Sequence, residues 1–336
     1  MPRAAITGWG MYVPERVLSN DELSRMVDTN DEWIVSRTGI RERRIAGETD
    51  TVTSSSVASA RLACERARID PAELDLIVVG TFTADQMMPS VACQVQYEIG
   101  AHAAAAFDLN AACSGFVYAL ATATQFIESG LYQRILVIGT DINSRYLDYT
   151  DRSTCVLFGD GSGAVVLEAS DAAEGVLSVA LGADGSAGHH LTLGDPASFA
   201  RLNGNTTMDR SFMRMNGPEV YRFAVKVMGG VAAEAIARAG LTFDDIDLLV
   251  PHQANLRIID AAAKRLEMSR DRVWVNVHDY GNTSSASVPI GLVEAFEAGA
   301  IQDGMHVVVV AFGGGLTWAA GVIRWGATGV ARLARG

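Results

Sequence analysis

The second half of this 336-residue chain repeats the order of the first. An acidic turn feeds an apolar run twice: Asp70-Pro71-Ala72-Glu73 precedes residues 74–80, and Phe243-Asp244-Asp245 precedes residues 246–252. A strand-like stretch, a tight polar turn and an apolar helix ending in glycine span residues 107–130 and again 275–299. A glycine turn opens a strand at residues 159–167 and at 313–321. Echoes repeated in one order constrain the chain to two duplicated α/β halves, residues 1–172 and 173–336, with a seam near 170–175. Strand ends of the two halves would then meet across a pseudo-twofold axis, which is where α/β proteins place ligands.

Cys113 falls at such a strand end. It follows Ala105-Ala106-Phe107-Asp108-Leu109-Asn110, which reads as a strand, and precedes an Ala-rich helix opened by Ser114-Gly115-Phe116. A cysteine in an Ala-rich stretch is ordinarily a small core filler. At a strand-to-helix turn its sulfur lies near unpaired helix N-terminal N–H groups, which favour thiolate and are expected to lower the thiol pKa from about 8.5. His252, in Pro251-His252-Gln253-Ala254-Asn255, ends a buried strand of the other half, and Asn282, in Gly281-Asn282-Thr283-Ser284-Ser285, occupies a matching turn. Alone, the histidine reads as a surface or structural residue and the asparagine as a turn residue or helix N-cap. Together they set a nucleophile on one side of the axis and two polar groups on the other.

Composition narrows the remaining classes. Cys64, Cys93, Cys113 and Cys155 form no C-x-x-C pair, so free thiols are expected, with neither a metal site nor a disulfide framework. A formal charge of −12 disfavours nucleic-acid binding, and an acidic partner would need a local basic patch. No apolar run reaches about 18 residues, so no membrane span is expected. Met1-Pro2-Arg3 leads directly into the strand-like Ala4-Ala5-Ile6-Thr7-Gly8, which leaves no room for a signal peptide and points to the cytoplasm. Gly159-Asp160-Gly161-Ser162-Gly163 hints at a nucleotide-binding oxidoreductase, but its glycines precede a strand where the dinucleotide fingerprint needs a helix.

Cys113 and the segments around His252 and Asn282 resemble the three signatures of the thiolase-fold condensing enzymes with a Cys-His-Asn centre. Asp31-Glu32-Trp33-Ile34-Val35-Ser36-Arg37-Thr38-Gly39-Ile40-Arg41-Glu42-Arg43, Asp151-Arg152-Ser153-Thr154-Cys155 and Phe312-Gly313-Gly314-Gly315-Leu316-Thr317-Trp318 are similar to the hallmarks of β-ketoacyl-acyl carrier protein synthase III. The resemblance covers essentially the entire chain. It implies a thiolase-like fold with a layered αβαβα core. The implied reaction condenses a short acyl-coenzyme A with malonyl-acyl carrier protein, releasing carbon dioxide and starting type II fatty acid synthesis. The implied enzyme is a homodimer with no cofactor, acyl-coenzyme A being a substrate. A starter-unit condensing enzyme of a specialised polyketide pathway would carry the same trio, whereas a catalytically silent thiolase-like partner protein would not need it.

By the same resemblance Cys113 is the nucleophile, the N–H groups of Cys113 and Gly314 form the oxyanion hole, and His252 and Asn282 hydrogen-bond the enolate. Thr29, Trp33, Arg37, Arg152 and Asn255 would hold coenzyme A, its adenine between Trp33 and Arg152. Trp33 and Arg37, four apart, share a helix face. Residues 255–268 read as a helix with Ile259, Ala262, Ala263 and Leu266 on an apolar face and Arg257 and Lys264 opposite. With Arg265, Arg222 and Gln253 these form the expected carrier-protein landing site; the plainer reading is a solvated helix with an Asp260–Lys264 pair. Phe158, Leu191, Met213 and Asn143 match the acyl pocket, with Met88 reaching in from the partner subunit. Asn143 departs from the usual aliphatic or small residue. A buried unpartnered amide costs ~1–3 kcal/mol, so water, a polar acyl group or another orientation must satisfy it. His189-His190, near the expected pocket wall, reads as part of a solvent-exposed loop.

Overall fold

The computed structural model describes residues 2–194 and 212–326. Its first large sheet has the order Arg3–Tyr12, Asp160–Ser170, Arg134–Ile142, Leu76–Gly80, Ala105–Leu109. The second has the order Gly175–Ala183, Thr317–Arg324, His306–Gly313, Leu248–Pro251. Pairing directions agree strand for strand: the first two pairs in each sheet are antiparallel and the next is parallel. The chain crosses from one sheet to the other between Ser170 and Gly175.

The repetition stops one strand short. A fifth strand was expected from Val275, but the second sheet ends with an isolated parallel bridge between Leu249 and Val273, followed by the short helix Val277–Tyr280.

Helices Gly115–Glu128 and Ser287–Glu297 lie between the sheets, where Phe116, Leu120, Val288 and Leu292 share one core with Val78 and Val137 of the first sheet and Val250 and Val309 of the second. Both are apolar around most of their circumference because each is covered on both sides. Val52–Ala67 and Val91–Glu98 cover the outer face of the first sheet, and Gly217–Arg238 and Leu256–Arg265 cover that of the second. The result is the layered αβαβα core expected above. Central strands such as Leu76–Gly80 are wholly buried, which is why they read as unbroken apolar runs. Among the described residues no helix is long and apolar enough to cross a membrane.

Candidate active site

Cys113 sits on a 3-10 turn, Ala112–Ser114, between strand Ala105–Leu109 and helix Gly115–Glu128. Its counterpart in the second half is the 3-10 turn Ser284–Ala286, which runs into helix Ser287–Glu297 and lies one residue after Asn282. Both turns hold a non-glycine residue at positive φ, Ala112 at 48° and Ser284 at 54°, a conformation that persists only where the surroundings enforce it. Gly313 supplies one such constraint: a Cβ there would lie 2.6 Å from the Cys113 nitrogen, so only glycine lets this strand end press against the nucleophile's turn.

His252 follows strand Leu248–Pro251 and is fully buried, its N–H bonded to the Val310 carbonyl at 2.7 Å. Its Nδ1 lies 2.7 Å from Ser287 Oγ, and that oxygen also accepts the Gln253 N–H at 2.7 Å. With no other acceptor for the Ser287 hydroxyl among the described residues, its proton goes to Nδ1. Nε2 therefore carries the imidazole hydrogen, and it has no partner in the protein. Burial pushes His252 down to about 3, so the ring is neutral near pH 7. Phe312 meets it edge-on, with ring centroids 5.3 Å apart. Asn282 Oδ1 accepts the Ser284 N–H at 2.9 Å, which leaves the Nδ2 hydrogens for the cavity.

Cys113, His252, Asn282 and Phe312 line one cavity of about 430 Å³, whose other end carries Trp33, Arg37 and Arg152. A second cavity of about 550 Å³ is lined by Phe82, Phe158, Leu191, Leu193 and Met213, and again by Cys113. The sulfur, 5% exposed as a residue, stands where the two cavities meet. One is long and cationic at its mouth. The other mixes Phe82, Phe158, Leu191 and Met213 with the polar Asn110, Thr192 and Arg214.

The expectation of a depressed thiol pKa is not met. Burial pushes Cys113 up to about 12, outweighing hydrogen bonds from the Ser284 hydroxyl and from the N–H groups of Cys113 and Gly314, while the nearby Asp141 carboxylate adds to the rise. Desolvation of a fully enclosed sulfur exceeds what a helix N-terminus returns, so the resting group is a thiol. The Cys113 and Gly314 N–H groups thus both act on the sulfur, lowering its pKa by less than burial raises it.

On the cationic side, the Arg37 and Arg152 guanidinium carbons lie 4.5 and 5.1 Å from the Trp33 ring centroid. Arg152 is tethered to the Asp28 carbonyl at 2.7 Å. Asn255 caps helix Leu256–Arg265 by accepting the Arg257 N–H, and it donates to the Arg37 carbonyl at 3.0 Å, so it fixes Arg37's backbone. Thr29 is half-buried with its hydroxyl unpartnered.

On the expected landing surface Arg222, Arg257, Lys264 and Arg265 are exposed. Arg222 pairs with Glu219, Arg257 donates to the Ser36 carbonyl, and Asp260 binds Arg270 at 2.6 Å and not Lys264. Gln253 does not belong to this surface. It is 1% exposed, with Nε2 on the Pro251 and Trp274 carbonyls and Oε1 accepting from the Asn276 and Val277 N–H groups.

Phe158, Leu191 and Met213 lie in the wall of the second cavity, but Asn143 does not. Its Nδ2 is turned onto the Gly159 carbonyl at 2.6 Å, and its Oδ1 is buried without a partner. Met88 lies outside this chain's own cavities and is 86% exposed. His189 is exposed and His190 half-buried, on the 3-10 segment Gly185–His190, their rings 4.0 Å apart. Sequence reasoning missed Phe312, Ser284, Ser287 and Asp141 as functional positions. Asp141 was detectable as an acid three residues beyond the apolar run Ile135-Leu136-Val137-Ile138, within the same strand-like stretch.

The family described as 3-oxoacyl-[acyl-carrier-protein] synthase III matches residues 107–185, and its C-terminal part matches residues 236–325. The chain is similar to a β-ketoacyl-[acyl-carrier-protein] synthase III of Roseiflexus castenholzii, 51% identical over 327 residues covering 96% of this chain and 98% of the relative. A crystal structure of 3-oxoacyl-[acyl-carrier-protein] synthase III from Aquifex aeolicus superposes with TM-score 0.90 at 43% identity, covering 96% of this chain and 100% of the other. The priming β-ketosynthase of the R1128 polyketide pathway superposes with TM-score 0.91 at 39% identity, covering 97% of each chain.

Proposed function

Because the chain belongs to the 3-oxoacyl-[acyl-carrier-protein] synthase III family and is thereby a condensing acyltransferase of fatty acid biosynthesis, we propose that Cys113 takes a short acyl group from acyl-coenzyme A and that His252 and Asn282 promote its condensation with malonyl-acyl carrier protein. The observation that carries this division of roles is the unpartnered Nε2–H of a neutral His252 in the same cavity wall as Cys113 and Asn282.

The thioester enters through the cationic cavity, its nucleotide beside Trp33, Arg37 and Arg152, and its acyl chain passes Cys113 into the second cavity, between Phe158, Leu191 and Met213. Attack by sulfur places negative charge on the carbonyl oxygen, which the N–H groups of Cys113 and Gly314 accept. Coenzyme A leaves, and malonyl-carrier protein uses the same entrance, its carrier domain on Arg222, Arg257, Lys264 and Arg265. Loss of carbon dioxide puts charge on the thioester oxygen. His252 Nε2–H and Asn282 Nδ2–H are in place to receive it, and a neutral imidazole does so without holding the carboxylate that must depart. The carbanion then attacks the acyl carbon, the new C–C bond forms, and the bond to Sγ breaks.

No cofactor enters this scheme. The half-buried edge strand Ala105–Leu109 and the exposed Met87 and Met88 support a homodimer in which Met88 closes the partner's acyl cavity. Four free cysteines suit a reducing cytoplasm.

Loading with radiolabelled acyl-coenzyme A tests the roles. Cys113→Ala should take up no label. His252→Ala and Asn282→Ala should each load normally and condense ~10²–10³-fold more slowly. If His252→Ala abolished loading but kept decarboxylation, the assignment would be wrong. Intact-protein mass spectrometry with a panel of acyl-coenzyme A donors identifies the preferred acyl group.

A further inference from the structure

Among the described residues, the side chain hydrogen-bonded to the Cys113 sulfur is that of Ser284, whose hydroxyl donates to it over 3.2 Å. Ser284 is fully buried, so its proton has no solvent to bond. A thiol sulfur is a weak acceptor, and a buried hydroxyl ordinarily finds a better one. The Asp141 carboxylate is near enough to act on the same sulfur, yet the groups hydrogen-bonded to it are the Thr81 and Thr83 hydroxyls and the Phe82 and Ser285 N–H groups. The Ser284 proton is directed at the nucleophile.

The turn that presents this hydroxyl is held from several sides. Ser284 has φ 54°, a left-handed conformation that costs a residue with a Cβ and persists only where its surroundings enforce it. Its own N–H is bonded to Asn282 Oδ1 at 2.9 Å, and the next N–H, that of Ser285, to Asp141 Oδ2 at 3.0 Å. Strand Arg134–Ile142 makes room for the turn at Gly139, where a Cβ would collide with the Ser285 carbonyl oxygen. Bonds and packing together fix one hydroxyl against the sulfur. His252 does not share that place, because its Nε2–H has no partner in the protein.

We propose that Ser284 is a catalytic residue whose hydroxyl stabilises the Cys113 thiolate, both when that sulfur attacks the acyl donor and when it leaves at the end of condensation. On attack the thiol proton goes to solvent, the S–C bond forms, the C–S bond of the donor breaks and the departing sulfur takes a proton back, so acylation is proton-neutral. At the end of condensation the bond from Sγ to the acyl carbon breaks, its electron pair stays on sulfur, and one proton from solvent restores the thiol. Ser284 keeps its own proton throughout. A hydrogen bond to sulfur gains strength as negative charge gathers there, so the hydroxyl favours the charged states over the resting thiol, which is the condition for accelerating a step. The donor's identity rests on the function proposed above, whereas the contact between hydroxyl and sulfur does not.

The test is alkylation of Cys113 by iodoacetamide in the full-length enzyme, read by peptide mass spectrometry at one fixed pH, with no acyl donor present. Ser284→Ala should alkylate roughly ten- to a hundredfold more slowly than the parent, the range for losing a hydrogen bond to a charged group. Ser284→Gly should be slowed to the same extent. Glycine relaxes the positive φ that alanine keeps, so a purely conformational role for Ser284 would separate the two variants. Unfolding cannot imitate the expected result, since it would bare the sulfur and speed alkylation. A folded Ser284→Ala that alkylates as fast as the parent or faster, or a parental rate in Ser284→Gly, overturns the proposal. Should Ser284→Ala fail to fold, Ser284→Gly alone decides by the same criterion. Slow alkylation in both variants, beside a parent enzyme that none of a panel of acyl-coenzyme A donors loads, would overturn the donor reading and leave the hydroxyl's role standing.

Discussion

Replacing His252 by glutamine removes a buried imidazole whose neutrality the proposed condensation step requires, and the pH dependence of stability reports that neutrality directly. The ordinary imidazole value is 6.5, and burial takes His252 to about 3. Its folded pKa is depressed, so between these values the unfolded chain binds the extra proton and stability falls as the pH drops. From pH 6.5 to pH 4.5 the loss is about 3 kcal/mol, at about 1.4 kcal/mol per pH unit. Asp141 works in the other direction. Burial raises it from 3.8 to about 6, so the folded state holds its proton more tightly, and acidification through the same window returns about 2 kcal/mol. The two nearly cancel in the parent, but the difference between parent and His252→Gln isolates the imidazole. Urea denaturation at pH 7.5 and pH 4.5, at one protein concentration, should show the deficit of His252→Gln shrinking by about 3 kcal/mol at the lower pH. A deficit equal at both values would mean that the imidazole ionises inside the fold, and the argument for a neutral Nε2–H donor would fail.

Trp33→Ala should weaken coenzyme A binding by ~1–3 kcal/mol, read by calorimetry, with Cys113 alkylation unchanged; unaltered affinity would remove Trp33 from the nucleotide site. Lys264→Glu, on an exposed face, should reduce carrier-protein use and its salt sensitivity while leaving coenzyme A-dependent loading alone; equal loss of both would discredit the landing surface. Gly313→Ala forces a Cβ against the Cys113 nitrogen, 2.6 Å away in the parent geometry, and should lower stability by ~1–3 kcal/mol together with loading. A variant that melts and loads like the parent would show that the two turns are not wedged together.

The duplicated halves were legible because each buried strand and its covering helix leave period and punctuation in the chain. Two of the misreadings share one cause at one place. Trp274-Val275-Asn276-Val277 looks like a strand, and Gln253 looks like an exposed residue beside a basic helix. In the structure the Gln253 amide itself takes up the backbone groups that a fifth strand would have paired, accepting from Asn276 and Val277 and donating to Pro251 and Trp274. A side chain that substitutes for a ladder is invisible to a reading that pairs only backbones, so the absent strand and the misplaced glutamine are one error. Asn143 failed similarly, since its amide turned onto the Gly159 carbonyl instead of facing the acyl cavity.

The neutral thiol has a different origin and a consequence for acylation. Sequence position locates Cys113 at a helix start, but burial depends on what the second half lays over it, and desolvation is the larger effect. At rest the N–H groups of Cys113 and Gly314 and the hydroxyl of Ser284 all point at the sulfur. In the acylation proposed above, the two N–H groups donate to the carbonyl oxygen as it gains charge, because that is where the oxyanion develops. Their support for sulfur is withdrawn at the moment its proton must leave, and Ser284 is the contact that remains. Loss of the Ser284 hydroxyl should therefore slow acyl transfer from coenzyme A by at least as large a factor as it slows alkylation by iodoacetamide, whose attack forms no oxyanion and leaves both N–H groups on the sulfur. A smaller factor for acyl transfer would show that the sulfur keeps its N–H partners throughout.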